Sequence, residues 1–408
     1  MKVFSFYLPS SIYGGTEILM IRLIEYLSNY HTIKIYTRKN SFVDKKYKVK
    51  NNNISIHYSL NNVDDNAYFI ISSKYLIELA ENTRGKKINL FIWQLQPIEL
   101  ISQFFPARKF NKKNFLLNKF IDLIYEKRRK HVNKLLTEYN NKNSLFFMDM
   151  DNYNTSNDYL NLNLDKANII PVSIPFENHR IEKIKNDILT FCVVSRISYD
   201  FKFYSILHFI KALELYLKNN KMIANLIVVG DGEALDELKV YASNSIINFI
   251  FYGTIPIDKV YTDIYPKVDI SFGMGTSLID SSKYKIPTIV TNISNKKISE
   301  KEIKYSMFYE SEGFSLGSYN NTGKKTLNHI LDNIINNQSI HGEKCYLYAK
   351  ENHSSEVIFD KINSIISIEK NAQDTNLICN SINHARYFDL IYKVILKKIN
   401  KIFKYNSR

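Results

Sequence analysis

Short runs of β-branched and aromatic residues alternate, along most of this chain, with segments long enough to form a helix, and that alternation constrains the fold more than any other feature. In the first half the runs are VFSFYL (3–8), TIKIYT (32–37), NISIHY (53–58), AYFIIS (67–72) and INLFIW (88–93), with the periodic TEILMIRLIEYLSN (16–29) between the first two. SLFFMD (144–149) follows a basic helical region, and the two prolines of IIPVSIP (169–175) close the half. A second series follows: LTFCVVS (189–195), ANLIVVG (224–230), INFIFYG (247–253), VDISF (268–272) and PTIVT (287–291). Ile206, Ile210, Leu213 and Leu217 give a helical stripe between its first two members. Strands joined by helical crossovers pair in parallel, so the expectation is an α/β protein built on two Rossmann-like sheets. The sequence divides into a first domain at 1–172, a polar linker at 173–188, a second domain at 189–370 and a terminal segment at 371–408, helical from about 324 onward. Two such domains offer a cleft between the carboxyl ends of their sheets, where α/β folds bind ligands.

A chain of 408 residues with 45% hydrophobic and 23% charged residues has material for two cores, which excludes disordered and fibrous classes. No apolar run approaches a membrane span, and Pro9 ends the opening stretch too early for a signal peptide, so the expected location is cytoplasmic. Cys192, Cys345 and Cys379 are far apart and odd in number, supporting neither a disulfide framework nor a thiolate metal site.

The net charge of +15 is concentrated. Residues 107–134 hold ten Lys and Arg, including Lys127, Arg128, Arg129, Lys130 and Lys134, against Asp122 and Glu126. Residues 385–408 hold seven against Asp389. In the latter, Phe388, Ile391, Ile395, Ile399 and Ile402 form one stripe and Lys393, Lys397, Lys401 and Lys404 another, so the segment reads as an amphipathic helix. Such a helix either packs on the body or lies on an anionic membrane surface. No RNP, KH, helix–turn–helix or zinc-finger pattern accompanies the charge, so nucleic acid is not the expected partner.

Four short motifs carry the candidate chemistry. Gly14-Gly15-Thr16-Glu17 follows the first strand and opens the first helix, a place where N–H groups favour anions and where a plain tight turn is the alternative. Gly230-Asp231-Gly232 ends a strand likewise, with Leu235 where a dinucleotide fingerprint needs its third glycine. Arg196 ends another strand and Lys202 follows, two cations suited to a diphosphate, unless Arg196 merely pairs with Asp200. Gly273-Met274-Gly275-Thr276-Ser277-Leu278-Ile279-Asp280 runs from strand into helix and puts a carboxylate one turn in, able to accept ribose hydroxyls or simply to cap the helix.

The order GGTE, SR with a downstream Lys, VVGDG, IFYGTIP, and MGTSLID seven residues before Pro287 resembles retaining nucleotide-sugar glycosyltransferases of the GT-B fold, family 4, over most of residues 1–292. The resemblance implies two Rossmann-like domains facing across a cleft, with C-terminal helices. It assigns Arg196 and Lys202 to the donor diphosphate and places Gly14 and Gly15 against the same phosphates. It lays Tyr252, Gly253, Thr254 and Ile255 on the nucleobase and gives Asp280 the ribose, with Gly230, Gly232, Gly275, Thr276 and Ser277 lining the donor. The sequence departs from the family in carrying Phe272 where the earlier of two glutamates stands, and Trp93-Gln94-Leu95-Gln96-Pro97 where a histidine is expected; Gln94 is carried over in its place. A phenyl ring at 272 can pack beneath a sugar without hydrogen-bonding it. Asp149-Met150-Asp151 matches the DxD triplet of the other glycosyltransferase fold and is assigned no metal. The implied activity is transfer of a hexose-type sugar, with retention and without metal or cofactor, from a nucleotide diphosphate sugar to a glycan or lipid-linked glycan, in bacterial capsule or lipopolysaccharide synthesis, peripheral to the inner face of the plasma membrane. A degenerate GT-B protein that binds a nucleotide or partner without turnover is the alternative.

Overall fold

Ser5 is as deeply buried as its neighbours Phe4 and Phe6 in β1 (Val3–Tyr7), as expected of a parallel strand covered on both faces. A computed structural model describes residues 2–11, 14–47, 53–105, 115–160, 162, 164, 166–176, 182–199, 202–294, 303–317, 323–368 and 372–383, with side chains in the helix Phe115–Asn141 described from 123 onward. β1 pairs in parallel with β2 (Thr32–Tyr36) on one side and β4 (Tyr68–Ser72) on the other. β3 (Ile54–His57) extends the sheet beyond β2, while β5 (Lys87–Gln94) and β6 (Leu145–Phe147) extend it beyond β4. The order β3-β2-β1-β4-β5-β6 reverses direction at β1. The first crossover, helix Gly15–Leu27, buries Leu19, Met20, Leu23, Ile24 and Leu27, the spacing of one helical face.

The second sheet repeats the device. β7 (Leu189–Val194) lies between β8 (Ala224–Val229) and β10 (Ile270–Gly273). β9 (Asn248–Gly253) continues beyond β8, and β11 (Thr288–Val290) with the antiparallel β12 (Ser306–Met307) beyond β10. The helix Lys202–Asn220 buries its expected stripe of Ile206, Ile210, Leu213 and Leu217. From the same helix Phe209 stacks on Phe272 of β10, ring centroids 3.8 Å apart and planes 10° from parallel, with Tyr305 edge-on to Phe209.

The chain divides into one unit of residues 1–170 with 359–408 and another of 171–358. This differs from the sequence-based division, which gave 189–370 to the second domain and set 371–408 apart. Part of the difference is an unfinished strand edge. β6 covers only the end of β5, and β13 (Gln373–Asp374) pairs antiparallel with its start, Gln373 opposite Ile88 and Asp374 opposite Lys87. Thr375 then donates to the Thr83 carbonyl (2.7 Å). The expected linker belongs to the second unit where it is described: Ile174 is bracketed by backbone bonds to His353 and Ser355, and Ile184 bonds to the Pro266 carbonyl. Of the basic segments, 385–408 and 107–114 lie outside the described residues. Within the rest, Arg128 is buried and donates to the carbonyls of Phe104 (2.9 Å) and Ile382 (2.5 Å), near the C-terminal ends of two helices, while Lys127, Lys130, His131 and Lys134 occupy the exposed face. Asp149 is a helix cap: its Oδ1 accepts from the backbone and side-chain nitrogens of Asn152, and burial pushes its carboxyl up to about 6.

The Phe209–Phe272 stack predicts a stability result. Phe272→Ala should lower unfolding free energy by about 3–5 kcal/mol, and Phe272→Glu by more, because it would bury a carboxylate against a phenyl ring. Urea denaturation is the measurement, and a Phe272→Glu protein with the parent's midpoint would contradict this packing.

Candidate active site

In an open parallel sheet, the carboxyl ends of two neighbouring strands splay apart where the strand order reverses, leaving a crevice. In the second unit that place lies between β7 and β10. The loop after β7 carries Ser195 and Arg196 and leads into the helix that begins at Lys202. The loop after β10 carries Gly273, Met274 and Gly275 and leads into the helix Thr276–Lys283. Arg196 is exposed and Lys202 half-buried, so both expected cations belong to the loop–helix junction that follows β7.

Gly230 and Gly232 hold this loop in place. Gly230 adopts φ +130° and Gly232 φ +154°, and a Cβ on them would stand 1.9 Å from the Ser195 carbonyl oxygen and 2.3 Å from that of Ile197. The two loops are laced together through Ser195 N to Val229 O (2.9 Å), Ile197 N to Asp231 O (2.9 Å) and Ala234 N to Ile197 O (3.0 Å). Gly230 N in turn donates to Gly253 O (2.8 Å). The sequence expectation that these glycines let a ligand approach is therefore corrected. The space a side chain would need is filled by neighbouring backbone, and the effect is to fix both peptide neighbours of Arg196.

The nucleobase-side residues expected from the sequence end β9. Tyr252 is 39% exposed, Gly253 has φ +62°, Thr254 is exposed, and Ile255 packs on the core cluster that includes Val229, Val260 and Ile264. At β10 the Gly273 carbonyl accepts from both the backbone N–H and the hydroxyl of Thr291 (2.8 and 2.9 Å), while Gly275, at φ +75°, donates to Leu316 O (2.7 Å) and caps the helix. Thr276 is exposed, and the Ser277 hydroxyl turns back to Met274 O (3.1 Å). Asp280 is half-buried, and its Oδ1 accepts from the Tyr261 hydroxyl at 2.7 Å. Tyr261 contacts the rings of Tyr265 and Tyr284, and Lys283 sits over Tyr261. Burial and then the charge of Asp280 push the Tyr265 phenol well above its usual range. Tyr261, which the sequence reading passed over, orients the carboxylate; nothing in the chain pattern marks a residue nineteen positions away as its partner.

Phe272 and Gln94 are corrections. Phe272 is 1% exposed within the stack on Phe209, so it presents no face on which a sugar could rest. Gln94 is the last residue of β5 and fully buried, its Nε2 donating to Ser156 Oγ (2.8 Å) and Pro97 O (3.2 Å), so its side chain is engaged inside the unit.

The first unit has its own crevice, between β1 and β4. Gly14 caps the first helix with extended backbone, and a Cβ there would crowd Glu17 Oε2 at 3.0 Å, whereas Gly15 faces open space. Glu17, 3% exposed, accepts from Lys74 Nζ (2.6 Å) and Tyr75 Oη (3.0 Å). Burial opposes its charge, but Lys74 and the hydrogen bonds outweigh that and hold the carboxyl below its ordinary value. Glu99 is a further group the sequence reading missed. It lies half-buried beyond β5 with Ser72 and Ser73 hydroxyls at 3.3 and 3.4 Å, and burial pushes its carboxyl up despite the opposing charge of Lys74.

No protein-family model matches the sequence, and no curated protein matches it. Solved structures do. The chain is similar to the lipopolysaccharide outer core galactosyltransferase WaaB in its apo form, at 12% identity and a TM-score of 0.55 over 90% of this chain and 99% of that one. It is similar to a glycosyltransferase from Rickettsia africae ESF-5, at 14% identity and a TM-score of 0.55 over 89% and 97%. It is also similar to Anabaena Alr3699/HepE in complex with UDP-glucose, at 11% identity and a TM-score of 0.53 over 90% and 99%. At such identities the likeness is one of fold: the chain has the α/β GT-B architecture of these glycosyltransferases.

The lacing of the β7 and β8 loops predicts that Gly230→Ala is severely destabilising. Positive-φ strain alone costs on the order of 1–3 kcal/mol, and the Cβ collides with backbone that cannot move aside. A thermal melt of Gly230→Ala coinciding with that of the parent would contradict the role assigned to Gly230.

Proposed function

We propose that this chain is a glycosyltransferase of the retaining, family 4 type, moving a sugar from a nucleotide diphosphate sugar to a glycan acceptor in bacterial surface polysaccharide synthesis. The observation that carries the reading is the pairing of Arg196 and Lys202 around one loop at the strand-order reversal of the second sheet, with Asp280 at the helix after β10. The solved structures add support: HepE is complexed with UDP-glucose, and WaaB is a galactosyltransferase of the lipopolysaccharide outer core.

In this reading the bond between the sugar's anomeric carbon and the diphosphate oxygen breaks, and the acceptor hydroxyl bonds to that carbon on the same face, giving its proton to the departing diphosphate oxygen as it does so. Charge develops on the leaving diphosphate, so catalysis rests on groups that meet it there. Arg196 offers a fixed fork of donors, Lys202 a second cation, and the helix beginning at Thr276 its N-terminal dipole. Asp280, oriented by Tyr261, holds the ribose. The nucleotide sugar is a substrate, with no cofactor or metal invoked.

No helix among the described residues is long and apolar enough to cross a membrane. A lipid-linked acceptor would give the basic segments at 107–134 and 385–408 a purpose at an anionic membrane surface. No observation at the site favours the alternative of a nucleotide- or partner-binding protein without turnover.

Arg196→Ala and Lys202→Ala should each slow turnover of the cognate nucleotide sugar by about 10²- to 10³-fold, the loss on removing one donor from a developing anion, with the melting temperature preserved. Donor hydrolysis and glycosyl transfer are the assays. Near-parental rates in both variants would refute the site.

A further inference from the structure

A cavity of about 270 Å³ opens on the first unit, lined by Ser10, Ser11, Arg38, Lys39, Tyr75 and Glu78 among others. It lies at the carboxyl edge of the sheet, where the loops after β1 and β2 meet the start of the helix Leu76–Asn82. Its size, at the small end of ligand pockets, suits one sugar residue better than a length of chain.

The wall that carries the two cations is built rather than loose. Asn40 adopts the left-handed conformation, φ +63°, which Asn tolerates better than most residues. The turn around it is tied by Ser41 N to Arg38 O (3.1 Å), by Asn40 N to Asp44 Oδ2 (2.7 Å), and by the buried Thr37 hydroxyl, which donates to the Leu8 carbonyl (2.6 Å) and lies in hydrogen-bond contact with Ser41 Oγ (2.7 Å). Residue 8 precedes the serines of the opposite wall, so both sides share one anchor.

The charges do not cancel. Glu78 is shared, its Oε1 accepting from Arg38 and from the Tyr7 hydroxyl (2.7 Å). Lys39 is exposed and has no carboxylate partner among the described residues; the ring of Tyr58, 5.8 Å from its ammonium, lies beside it. Among the lining residues two cations stand against one carboxylate, the Asp44 carboxylate being turned to the Asn40 N–H and the Tyr58 hydroxyl, and the remaining polar groups are mostly hydroxyls, which pair with the hydroxyls of a sugar.

We propose that this cavity takes a sugar residue bearing an anionic substituent, a carboxylate or a phosphate, and so makes the acceptor an acidic glycan. The anion lies against the exposed ammonium of Lys39 and the guanidinium donors of Arg38 that Glu78 does not take. Glu78 and the serine hydroxyls meet the ring hydroxyls. The assignment of an acceptor to this unit rests on the glycosyltransferase reading; the preference for an anionic sugar rests on the cavity alone.

Calorimetric titration of the full-length protein at low salt, where exposed charges are least screened, tests it with three probes: methyl glucuronide, glucose 6-phosphate and the neutral methyl glucoside. At least one anionic probe should bind about tenfold more tightly than the neutral one, the worth of a charge-assisted hydrogen bond, and the two anionic arms tell a carboxylate from a phosphate. Lys39→Glu, on an exposed turn, should abolish that preference, and Arg38→Gln should weaken it. Of UDP, GDP and ADP, titrated into the same samples, the one that the parent binds should bind unchanged in both variants. Equal binding of all three probes, no binding of any, or a Lys39→Glu protein that retains the preference would overturn the proposal. Acidic-sugar binding in a protein that binds no nucleotide would leave the cavity standing and overturn the donor site instead.

Discussion

The carbonyl oxygen of Ser195 stands where a side chain at position 230 would have to be, and the candidate donor site depends on that contact. Gly230 and Gly232 let two loops lie backbone against backbone, and the resulting hydrogen bonds clamp residues 195 and 197 on either side of Arg196. A guanidinium on a loose loop pays rotamer and backbone entropy each time it meets a phosphate. Here much of that cost is met in folding, and the same lacing reaches Gly253, so the loops after β7, β8 and β9 are set by one network.

Both units solve the same topological problem. Each sheet begins with a central strand, fills one side and returns to fill the other, opening a crevice beside β1 in the first and β7 in the second. What differs is the chemistry at the two places. The second crevice has an exposed arginine, a half-buried lysine and small residues at a helix start, the groups on which the proposed diphosphate site rests. The first has a buried Glu17–Lys74–Tyr75 cluster, in which the lysine's charge is already answered, so the ammonium there stabilises the loop after β4 more than it attracts an anion.

Most of the fold was legible in the sequence because parallel strands buried on both faces read as apolar runs: each of the five runs between 189 and 291 marks one strand of the second sheet, β10 extending one residue past its run to Gly273. The ends of that reading failed for physical reasons. β13 is two residues long, too short for any period, and its place is decided by an unfilled edge of β5 far away in sequence. Arg128 looked like one more surface charge but caps two helices from within, because a guanidinium can satisfy several carbonyls at once. At the site, motif order located Arg196 in the loop after β7, Lys202 at the start of the helix that follows and Asp280 in the helix after β10, whereas Gln94 and Phe272 turned inward, since a strand's last residues alternate between faces and the sequence does not say which. Tyr261 and Glu99 were invisible because each acts through partners from other elements.

The proposed donor site puts a nucleoside diphosphate on the carboxyl edge of the second sheet between β7 and β10. Hydrogen–deuterium exchange of the whole protein, with and without saturating UDP, GDP or ADP, addresses it most directly. One of these nucleotides should slow exchange in segments 195–199, 230–234 and 274–280 together while the strands β1 to β5 exchange as before. Protection confined to other segments, or none with any of the three nucleotides, would contradict it.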